Sequence, residues 1–469
     1  MKKSMILVAM ASMMMASCVQ DESLENQEVL SSAPKGITFH TVVAKQKSRA
    51  LVDGVVYPTD VPFGAWARYN PSDENLNVGY QNYITNAKIQ YFPATNNNSV
   101  AYWGLTTPEY WPDRGSLTFF AYSPFEYQED KYQAEGYNNK DKYLVDSTKV
   151  QAYSPQVGNH GVVFPDYDVH NHQKTDLMVA DVVKGLKANI TNNTTAIDST
   201  QNNPTTYTGV PTKFRHKLAK IEEFIVQTSD DYDGTYDGND NLAIAGEMRF
   251  FIEKIELLNL KTKGTYYGET YKKDGSLVAD RWVDPTQQAN KDYTWFDAEE
   301  VYDSASDEQK AEGWVDVTEI EKTQNNTGTV AGETETHYGV EFGHSLTKAL
   351  RLKKINIEQE YERNPTIDNK YLLVIPQTFN NEQQIRVTYY VKTFETTETD
   401  EGASLQAGGR WVPGKLKVVT RYLSEVHGVN AKWPMNAKIT YTLLFSTEEI
   451  RWAPYVRDWT TFDDNVVDF

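Results

Sequence analysis

Residues 116–122 read Ser-Leu-Thr-Phe-Phe-Ala-Tyr, and this stretch follows the two-residue period of a β-strand. Leu117, Phe119 and Ala121 occupy alternate positions, so they share one face and their neighbours share the other. The Trp-Pro pair at 111–112 favours an extended start, because proline fixes its own φ and disfavours helix at the residue before it. The stretch therefore predicts a strand with one face in a core.

The same pattern recurs along the chain from residue 36 onward, in short runs separated by Gly, Pro, Asn and Asp. Helix signals are nearly absent; the best is residues 304–313, with an early Ser, acidic residues and a closing Gly. The 30 Tyr, 18 Phe and 10 Trp also favour β-structure. The strand-like runs are residues 37–43, 116–122, 177–180, 250–260, 371–376, 385–393, 415–423 and 438–445. We predict an all-β chain of two tandem β-sandwich domains.

The composition changes over residues 187–211, which are dense in Asn and Thr and contain one aromatic residue. We interpret this stretch as a connection between domains or at the edge of a domain. The predicted N-terminal β-sandwich domain covers residues 36–205, and the predicted C-terminal β-sandwich domain covers residues 206–469. Polar insertions at 325–337 and 396–409 are interpreted as long hairpin loops within the second domain.

The charge of the chain restricts its partners. There are 46 basic and 65 acidic side chains, which give a net charge of −19. Such a chain repels nucleic-acid phosphates and anionic lipid headgroups, so no nucleic-acid partner is expected. The single cysteine excludes disulfide frameworks and cysteine-based zinc sites.

The N-terminus has the features of an export signal. Residues 1–17 contain two lysines, an apolar run over 5–15 and two small residues directly before Cys18. The run is too short for a membrane span of ~20 residues but fits a signal peptide. The small-small-Cys end resembles a bacterial lipobox, which implies a lipoprotein whose Cys18 carries acyl chains (such as palmitate), with residues 18–35 as an acidic tether. An ordinary secretory signal with Cys18 as a leftover thiol is the alternative.

Five segments together carry a resemblance to a protein family. They are residues 110–124 (YWPDRGSLTFFAYSP), 176–181 (DLMVAD), 211–221 (PTKFRHKLAKI), 372–377 (LLVIPQ) and 433–459. In order and spacing they resemble the fimbrillin family, the pilins of Bacteroidetes cell-surface fimbriae. The resemblance spans the chain from about residue 36 to its end. It implies transthyretin-like, Greek-key sandwiches, a role in cell adhesion, and a surface-exposed lipoprotein of the cell outer membrane that enters the fimbrium (pilus).

The family resemblance also implies how such a chain assembles. In that family, an arginine-specific protease on the cell surface removes the N-terminal strand, and a C-terminal strand from the next pilin subunit fills the groove by donor-strand exchange. In this sequence the candidate cleavage lies between Arg49 and Ala50, after a basic stretch that follows the first strand. Strand addition of this kind uses backbone hydrogen bonds and alternate side-chain pockets. The inward-facing residues of the strand to be displaced are Ile37, Phe39, Thr41 and Val43.

Two other interpretations of the function remain open. The first strand could be permanent and Arg49 an ordinary loop residue, as in an uncleaved anchor or tip subunit. The chain could also be a glycan-binding surface lipoprotein of a polysaccharide-uptake system, with exposed aromatic rings as stacking platforms for sugars. Host or bacterial surface ligands fit either adhesive interpretation. The aromatic candidates for stacking are Trp66, Trp103, Trp282 and Trp411.

Catalytic motifs are missing from the sequence. It has no phosphate-binding GxxxxGK[ST] loop, no HExxH helix and no GxSxG elbow. Residues 166–172 bring together Asp and His, but they follow a proline and are more typical of a solvated turn than of a metal site. Residues 231–240 have the Asp and Gly density of a calcium loop without its spacing. His216 alternates with Phe214 and is interpreted as a core histidine. We therefore predict no enzyme activity, no cofactor and no metal.

Overall fold

A computed structural model describes the chain over the following ranges: 36–44, 54–71, 81–95, 100–125, 150–153, 160–173, 176–189, 192–198, 205–207, 209–228, 248–271, 276–284, 290–300, 320–325, 335–342, 349–352, 371–396, 409–412, 416–446 and 449–459. Within these ranges the chain is all-β and contains several sheets, as predicted. None of the helices in the described ranges has the length and apolar character needed to cross a membrane.

The described residues form 29 strands, numbered here in chain order. The strands up to residue 228 are β1 (Thr38–Ala44), β2 (Gly54–Val56), β3 (Phe63–Asn70), β4 (Gln81–Phe92), β5 (Tyr102–Leu105), β6 (Ser116–Ser123), β7 (Gln151–Ala152), β8 (Val162–Asp168), β9 (Met178–Ala180), β10 (Val183–Asn189), β11 (Asn192–Asp198), β12 (Thr205–Tyr207), β13 (Val210–His216) and β14 (Ala219–Thr228).

The remaining strands are β15 (Met248–Lys261), β16 (Lys263–Tyr267), β17 (Thr270–Tyr271), β18 (Leu277–Val278), β19 (Arg281–Val283), β20 (Asn290–Asp297), β21 (Ile320–Asn325), β22 (Glu335–Phe342), β23 (Ala349–Leu352), β24 (Leu372–Val374), β25 (Gln384–Thr396), β26 (Gly409–Val412), β27 (Leu416–Tyr422), β28 (Ala437–Phe445) and β29 (Ile450–Asp458). The helical elements whose bounds lie within the described residues are α1 (Leu423–His427) and two 3-10 turns, Val169–His172 and Gly428–Asn430, and residues 298–300 are also helical.

The first sheet has eleven strands and closes on itself. Its ladders run in the order β6-β3-β4-β5-β1-β13-β9, and β9 pairs back with β6. A closed ring hides the backbone groups that a free sheet edge would expose. The side chains facing the inside of the ring form one apolar core, to which Phe63, Phe119 and Phe214 contribute. Strands β10, β11 and β12 continue the sheet outward from β6.

The C-terminal part is a two-layer sandwich. One layer has the order β23-β14-β28-β29, and the other has the order β21-β22-β15-β25-β26. Phe224 of β14, Ile252 of β15 and Ile439 of β28 meet in a common buried core between the layers. The two predicted loops connect hairpins here, because Asn325 pairs with Glu335 across one and Thr396 pairs with Gly409 across the other. Both hairpin predictions are confirmed.

A four-stranded sheet, β19-β16-β8-β7, joins the two halves of the chain. Strand β8 comes before residue 205 and pairs with β16, which comes after it. A third core beneath this sheet contains Phe120 from the ring, Tyr266 from the joining sheet and Leu373 from the C-terminal part. The two halves are therefore built around shared apolar contacts.

The described part of the stretch at 187–211 consists of strands rather than a linker between domains. It forms the end of β10, then β11, β12 and the start of β13, all of which belong to the first sheet. Strand β13 lies after the predicted boundary at 205/206, yet it pairs with β1 and β9. The division into domains 36–205 and 206–469 remains a prediction; we propose that the N-terminal domain extends to His216.

A half-buried histidine, His427, at the end of the sandwich provides a prediction about pH. The Trp433 indole N–H donates to the Tyr441 hydroxyl at 2.8 Å, and that hydroxyl lies 2.8 Å from Nε2 of His427. The hydroxyl can then donate its own proton to Nε2 only while the imidazole is neutral. Burial lowers the pKa of His427 from 6.5 to about 4. The folded state therefore favours the neutral ring.

We expect the free energy of unfolding to fall by about 2–3 kcal/mol between pH 7 and pH 4 through this group. In the unfolded chain His427 binds a proton below its ordinary pKa of 6.5, whereas in the folded chain it binds one only near pH 4. The stabilisation from the neutral ring is therefore complete above pH 6.5 and is lost as the pH falls toward 4. Urea unfolding of wild type and His427→Gln across this range measures the effect. Parallel pH profiles for the two proteins would contradict it.

Candidate assembly site at the first strand

Strand β1 has neighbours on both sides. On one side it pairs in parallel with β13, from Phe39 opposite Val210 to Val43 opposite Phe214. On the other side its start pairs with β5 and its end pairs with β2, both antiparallel. Strand β1 is therefore an internal member of the closed ring, and removing it would leave β13 and β5 with unpaired backbone groups.

The predicted inward face of β1 lies in the core of the first sheet. Ile37, Phe39 and Val43 are buried, and all three belong to the same core cluster. Thr41 shares their face and is half-buried. Each large apolar side chain buried in this way contributes ~1.5–3 kcal/mol. The predicted side chains are thus brought together on one face.

Phe39 has an aromatic environment. Its ring packs edge-on against Phe63 at 5.6 Å and against Phe119 at 5.9 Å. Edge-to-face pairs of this kind stabilise beyond simple burial, by ~0.5–1.5 kcal/mol. Because these rings belong to β3 and β6, Phe39 ties β1 to strands that lie elsewhere in the ring. Phe39 is the main anchor of β1.

A second group of aromatic side chains lies beside the end of β2. Tyr57 follows β2 and stacks on Phe214 at 4.8 Å, while its hydroxyl lies 2.6 Å from the Ser123 hydroxyl. Burial raises the pKa of Tyr57, so its hydroxyl stays neutral in this contact. Trp103 packs edge-on against Tyr57 at 5.4 Å. The body of the protein thus holds Tyr57 through contacts that do not involve β1.

Strands β1 and β2 form an antiparallel pair in which Ala44 lies opposite Gly54. Their connection, residues 45–53, contains Arg49 and Ala50 and lies outside the described residues. Cys18 and the rest of the N-terminal signal also lie outside them. Cleavage at Arg49 and lipidation at Cys18 therefore stay predictions. The pairing does establish that a cut anywhere in 45–53 would separate β1 from β2 along the chain.

One glycine allows β13 to start close to β1. Gly209 has a φ of 149°, a conformation that side chains rarely adopt. A Cβ atom there would lie 3.1 Å from the carbonyl oxygen of Thr38 and from the carbonyl carbon of Phe39. Any larger residue would push β13 away from β1. The parallel ladder therefore depends on this glycine.

Sequence reasoning missed two parts of this site. Nothing in the sequence indicated that β13 is the parallel partner of β1, since the two segments are far apart along the chain. Tyr57 was also missed, because it stands alone after a short strand and lacks a periodic pattern. The Gly-Val-Pro start of β13 at residues 209–211 was the available signal, because glycine before a strand often marks a close backbone approach.

The C-terminal strand is a candidate for the other half of an assembly contact. Strand β29 pairs with β28 along its full length, from Ile450 opposite Phe445 to Asp458 opposite Ala437. Its other side has no ladder partner among the described strands. Pro454 lies within it, which is typical of an edge strand. The tail at 460–469 lies outside the described residues.

Three of the four proposed sugar-stacking tryptophans are packed inside the protein. Trp66 and Trp103 are buried in two different cores, and Trp282 packs against the core under the joining sheet. The Trp282 indole N–H donates to the carbonyl oxygen of Lys217 at 2.7 Å. Trp411 lies in β26, and its side chain is outside the described set. Trp66, Trp103 and Trp282 do not form a flat exposed platform.

The other polar candidates have structural surroundings. His216 is buried and pairs with Asp176 at 2.7 Å, so the prediction of a core histidine is confirmed. Asp168 accepts the backbone N–H of His170 at 3.1 Å and caps the short 3-10 turn. In the part of the chain that the structure describes, no three His, Cys, Asp or Glu residues are grouped so that they could hold a metal ion. Residues 231–240 lie outside the described ranges.

Comparison with known proteins found similarity in solved structures. No protein-family model and no curated protein matches the chain. A fimbrial protein from Bacteroides vulgatus is 16% identical, with 90% of this chain and 100% of that chain covered and a TM-score of 0.43. A proposed cell adhesion protein from Bacteroides uniformis is 12% identical, with 91% and 100% covered and a TM-score of 0.33.

A C-terminally truncated tip fimbrial protein from Porphyromonas gingivalis is 10% identical, with 89% of this chain and 99% of that chain covered and a TM-score of 0.28. The chain is thus similar to fimbrial and proposed adhesion proteins from the bacterial group that its sequence motifs indicate. Since each of these TM-scores is below 0.5, no residue roles are transferred from these proteins.

Proposed function

We propose that the chain is the precursor of a fimbrial subunit with a structural and adhesive role. It is exported as a surface lipoprotein of the outer membrane through Cys18, and it assembles by β-strand complementation after β1 is removed. The observation that carries the proposal is the position of β1. It is an internal strand of a closed ring, yet it lies next to the N-terminal end of the described chain and is joined to the body only through residues 45–53.

Removal of β1 would create a groove with defined requirements. The groove would have an unpaired strand on each side, β13 and β5, and a floor that includes Phe63 and Phe119. A strand from another subunit would fit if it placed an aromatic ring at the position of Phe39 and apolar side chains at those of Ile37 and Val43. The lost burial and ladder bonds, at ~0.5–1.5 kcal/mol for each bond, make an empty groove unfavourable.

The body of the protein is suited to survive the loss of β1. Tyr57 stays fixed after the cut through its contacts with Phe214, Ser123 and Trp103. The C-terminal sandwich has its own buried core, which contains no residue of β1. A cut between Arg49 and Ala50 would therefore leave a folded acceptor with a vacant groove.

The glycan-binding alternative is weakened by the burial of Trp66 and Trp103 and by the packing of Trp282. A non-enzymatic, structural role fits the three apolar cores and the buried surroundings of His216. The partners are other pilin subunits, an arginine-specific surface protease and the outer membrane. An uncleaved anchor or tip subunit remains the alternative within the same class of protein.

Digestion of the lipid-free precursor with an arginine-specific protease tests the proposal. We expect cleavage after Arg49 by mass spectrometry, followed by a ladder of oligomers on a sizing column. Arg49→Ala should abolish this cleavage and the oligomers that follow it. A protein that remains monomeric after complete cleavage at Arg49 would contradict assembly by strand exchange, and a protein left uncut would indicate an anchor or tip subunit.

A further inference from the structure

Among the residues that the structure describes, a buried arginine of the first sheet has no acidic side chain paired with it. Arg68 of β3 is 3% exposed, and its guanidinium lies 5.9 Å from the centre of the Phe120 ring. One hydrogen bond is formed, from Nη2 to the carbonyl oxygen of Tyr153 at 2.9 Å. Its Nε and Nη1 atoms are buried without a hydrogen-bond partner. A buried charge normally has a partner, because burying it alone is costly.

Two more basic groups lie around Arg68. In the sheet, Arg68 of β3 lies opposite Thr118 of β6. Strand β10 pairs with β6 on its other side and shifts register between Val183 and Leu186, a stretch that contains Lys184. The ring of His160 lies 6.5 Å from that of Phe120. The pKa of His160 is lowered to about 3, mainly by burial and also by the positive charges of Lys184 and Arg68. The three side chains are therefore close enough to influence one another.

Carboxylates do not balance this group. Burial lowers the pKa of Arg68, and in the described part of the chain no carboxylate forms a hydrogen bond with its Nε or Nη1 atom. Glu269 acts on Lys184, whose pKa burial lowers to about 8. Glu269 itself accepts the backbone N–H of Val182 at 3.4 Å. Among the described residues, the positive charge of Arg68 therefore remains unpaired while that of Lys184 is partly balanced.

We propose that Arg68, with Lys184 and His160 beside it, forms a binding site for an oxyanion, a carboxylate or sulfate group. The guanidinium Nε and Nη1 atoms can each donate a hydrogen bond to an oxygen of such a ligand, and hydrogen bonds from a charged donor to an anionic oxygen are strong. His160 is neutral and can donate one N–H. Lys184 is half-buried, so the site reaches the surface at its strand. The ligand is either a free ion or an acidic group on a sugar.

Thermal unfolding of the full chain with low concentrations of anions tests the site. We expect 10 mM sodium sulfate or sodium glucuronate to raise the Tm by about 2–4 °C relative to sodium chloride at equal ionic strength. Arg68→Met should abolish the rise while the protein without added anion stays at least as stable, because the unpaired buried charge is gone. A rise in Tm with sulfate but not with glucuronate would identify a free ion as the ligand. A rise with glucuronate but not with sulfate would identify a sugar acid.

Two further variants make the test decisive. Arg421→Met removes an exposed arginine of β27 in the other part of the chain and should keep the full rise. Lys184→Met leaves Arg68 in place and should reduce the rise, which covers the case in which Arg68→Met does not fold. The proposal would be overturned by equal Tm shifts in wild type and Arg68→Met, or by no shift with either anion in wild type. The outcome is independent of whether the chain polymerises.

Discussion

Phe39→Ala is expected to lower the free energy of unfolding of the first sheet by about 3–5 kcal/mol, the range for large aromatic truncations in a core. The ring is 4% exposed and packs against Phe63 and Phe119 in the middle of the closed ring of strands. Its loss removes both the buried apolar surface and two edge-on aromatic contacts. Urea unfolding measures the change, with hydrogen exchange of β3 and β13 to assign the transition to this sheet.

Val56→Ala is the matched control for this prediction. Val56 lies on the partner strand β2 opposite Val42, but it is 81% exposed. Its truncation should change stability by at most about 0.5 kcal/mol. Phe39→Leu, which keeps most of the volume, should recover much of the loss. Equal effects of Phe39→Ala and Val56→Ala would show that β1 is not held by the core.

Trp459→Ala is expected to lower the free energy of unfolding by about 3–5 kcal/mol, because its loss leaves a cavity at the junction of the two halves. Trp459 is fully buried and stacks on His216 at 4.1 Å with the ring planes 5° apart. Its backbone N–H donates to the carbonyl oxygen of Asn436 at 2.8 Å. The ammonium group of Lys220 lies 5.5 Å from the ring centre. The residue after β29 therefore ties the last strand to the shared core.

Tyr455→Ala provides the comparison on the same strand. Tyr455 is 63% exposed, so its truncation should change stability by at most about 0.5 kcal/mol. Trp459→Phe should lose less than Trp459→Ala, because it keeps a ring in the stack on His216. Thermal unfolding of the three variants separates these outcomes. A Trp459→Ala protein with the Tm of wild type would mean that the C-terminal strand is not fixed at this junction.

The positions of strands could be predicted from the sequence where the pairing between strands is regular. The predicted runs at 116–122 and 438–445 match β6 and β28, and the run at 37–43 matches β1 within one residue. Strand β4 escaped this reasoning because its alternation is broken. Asn86 has a positive φ, and the pairing of β3 with β4 shifts register twice. A bulge changes which residues share a face, so the two-residue period fails there.

The pairing of distant strands could not be predicted from the sequence. The parallel pairing of β1 with β13 and the antiparallel pairing of β8 with β16 both depend on how the chain closes, and no local sequence pattern indicates either of them. The Asn and Thr content at 187–211 indicated a connection, yet backbone hydrogen bonds hold β11 and β12 in the sheet. The inward face of β1 was predictable, because Ile37, Phe39 and Val43 alternate. The aromatic environment around it was not.

The central claim is that β1 is a removable strand whose groove accepts a strand from another subunit. The most direct measurement is the binding of a labelled peptide of residues 36–44 to the chain cleaved after Arg49, followed by fluorescence anisotropy and a sizing column. We expect one peptide bound for each chain, suppression of oligomers by the peptide, and weak binding of the same peptide with Phe39→Ala. A cleaved chain that neither binds this peptide nor loses its oligomers in its presence would contradict the account.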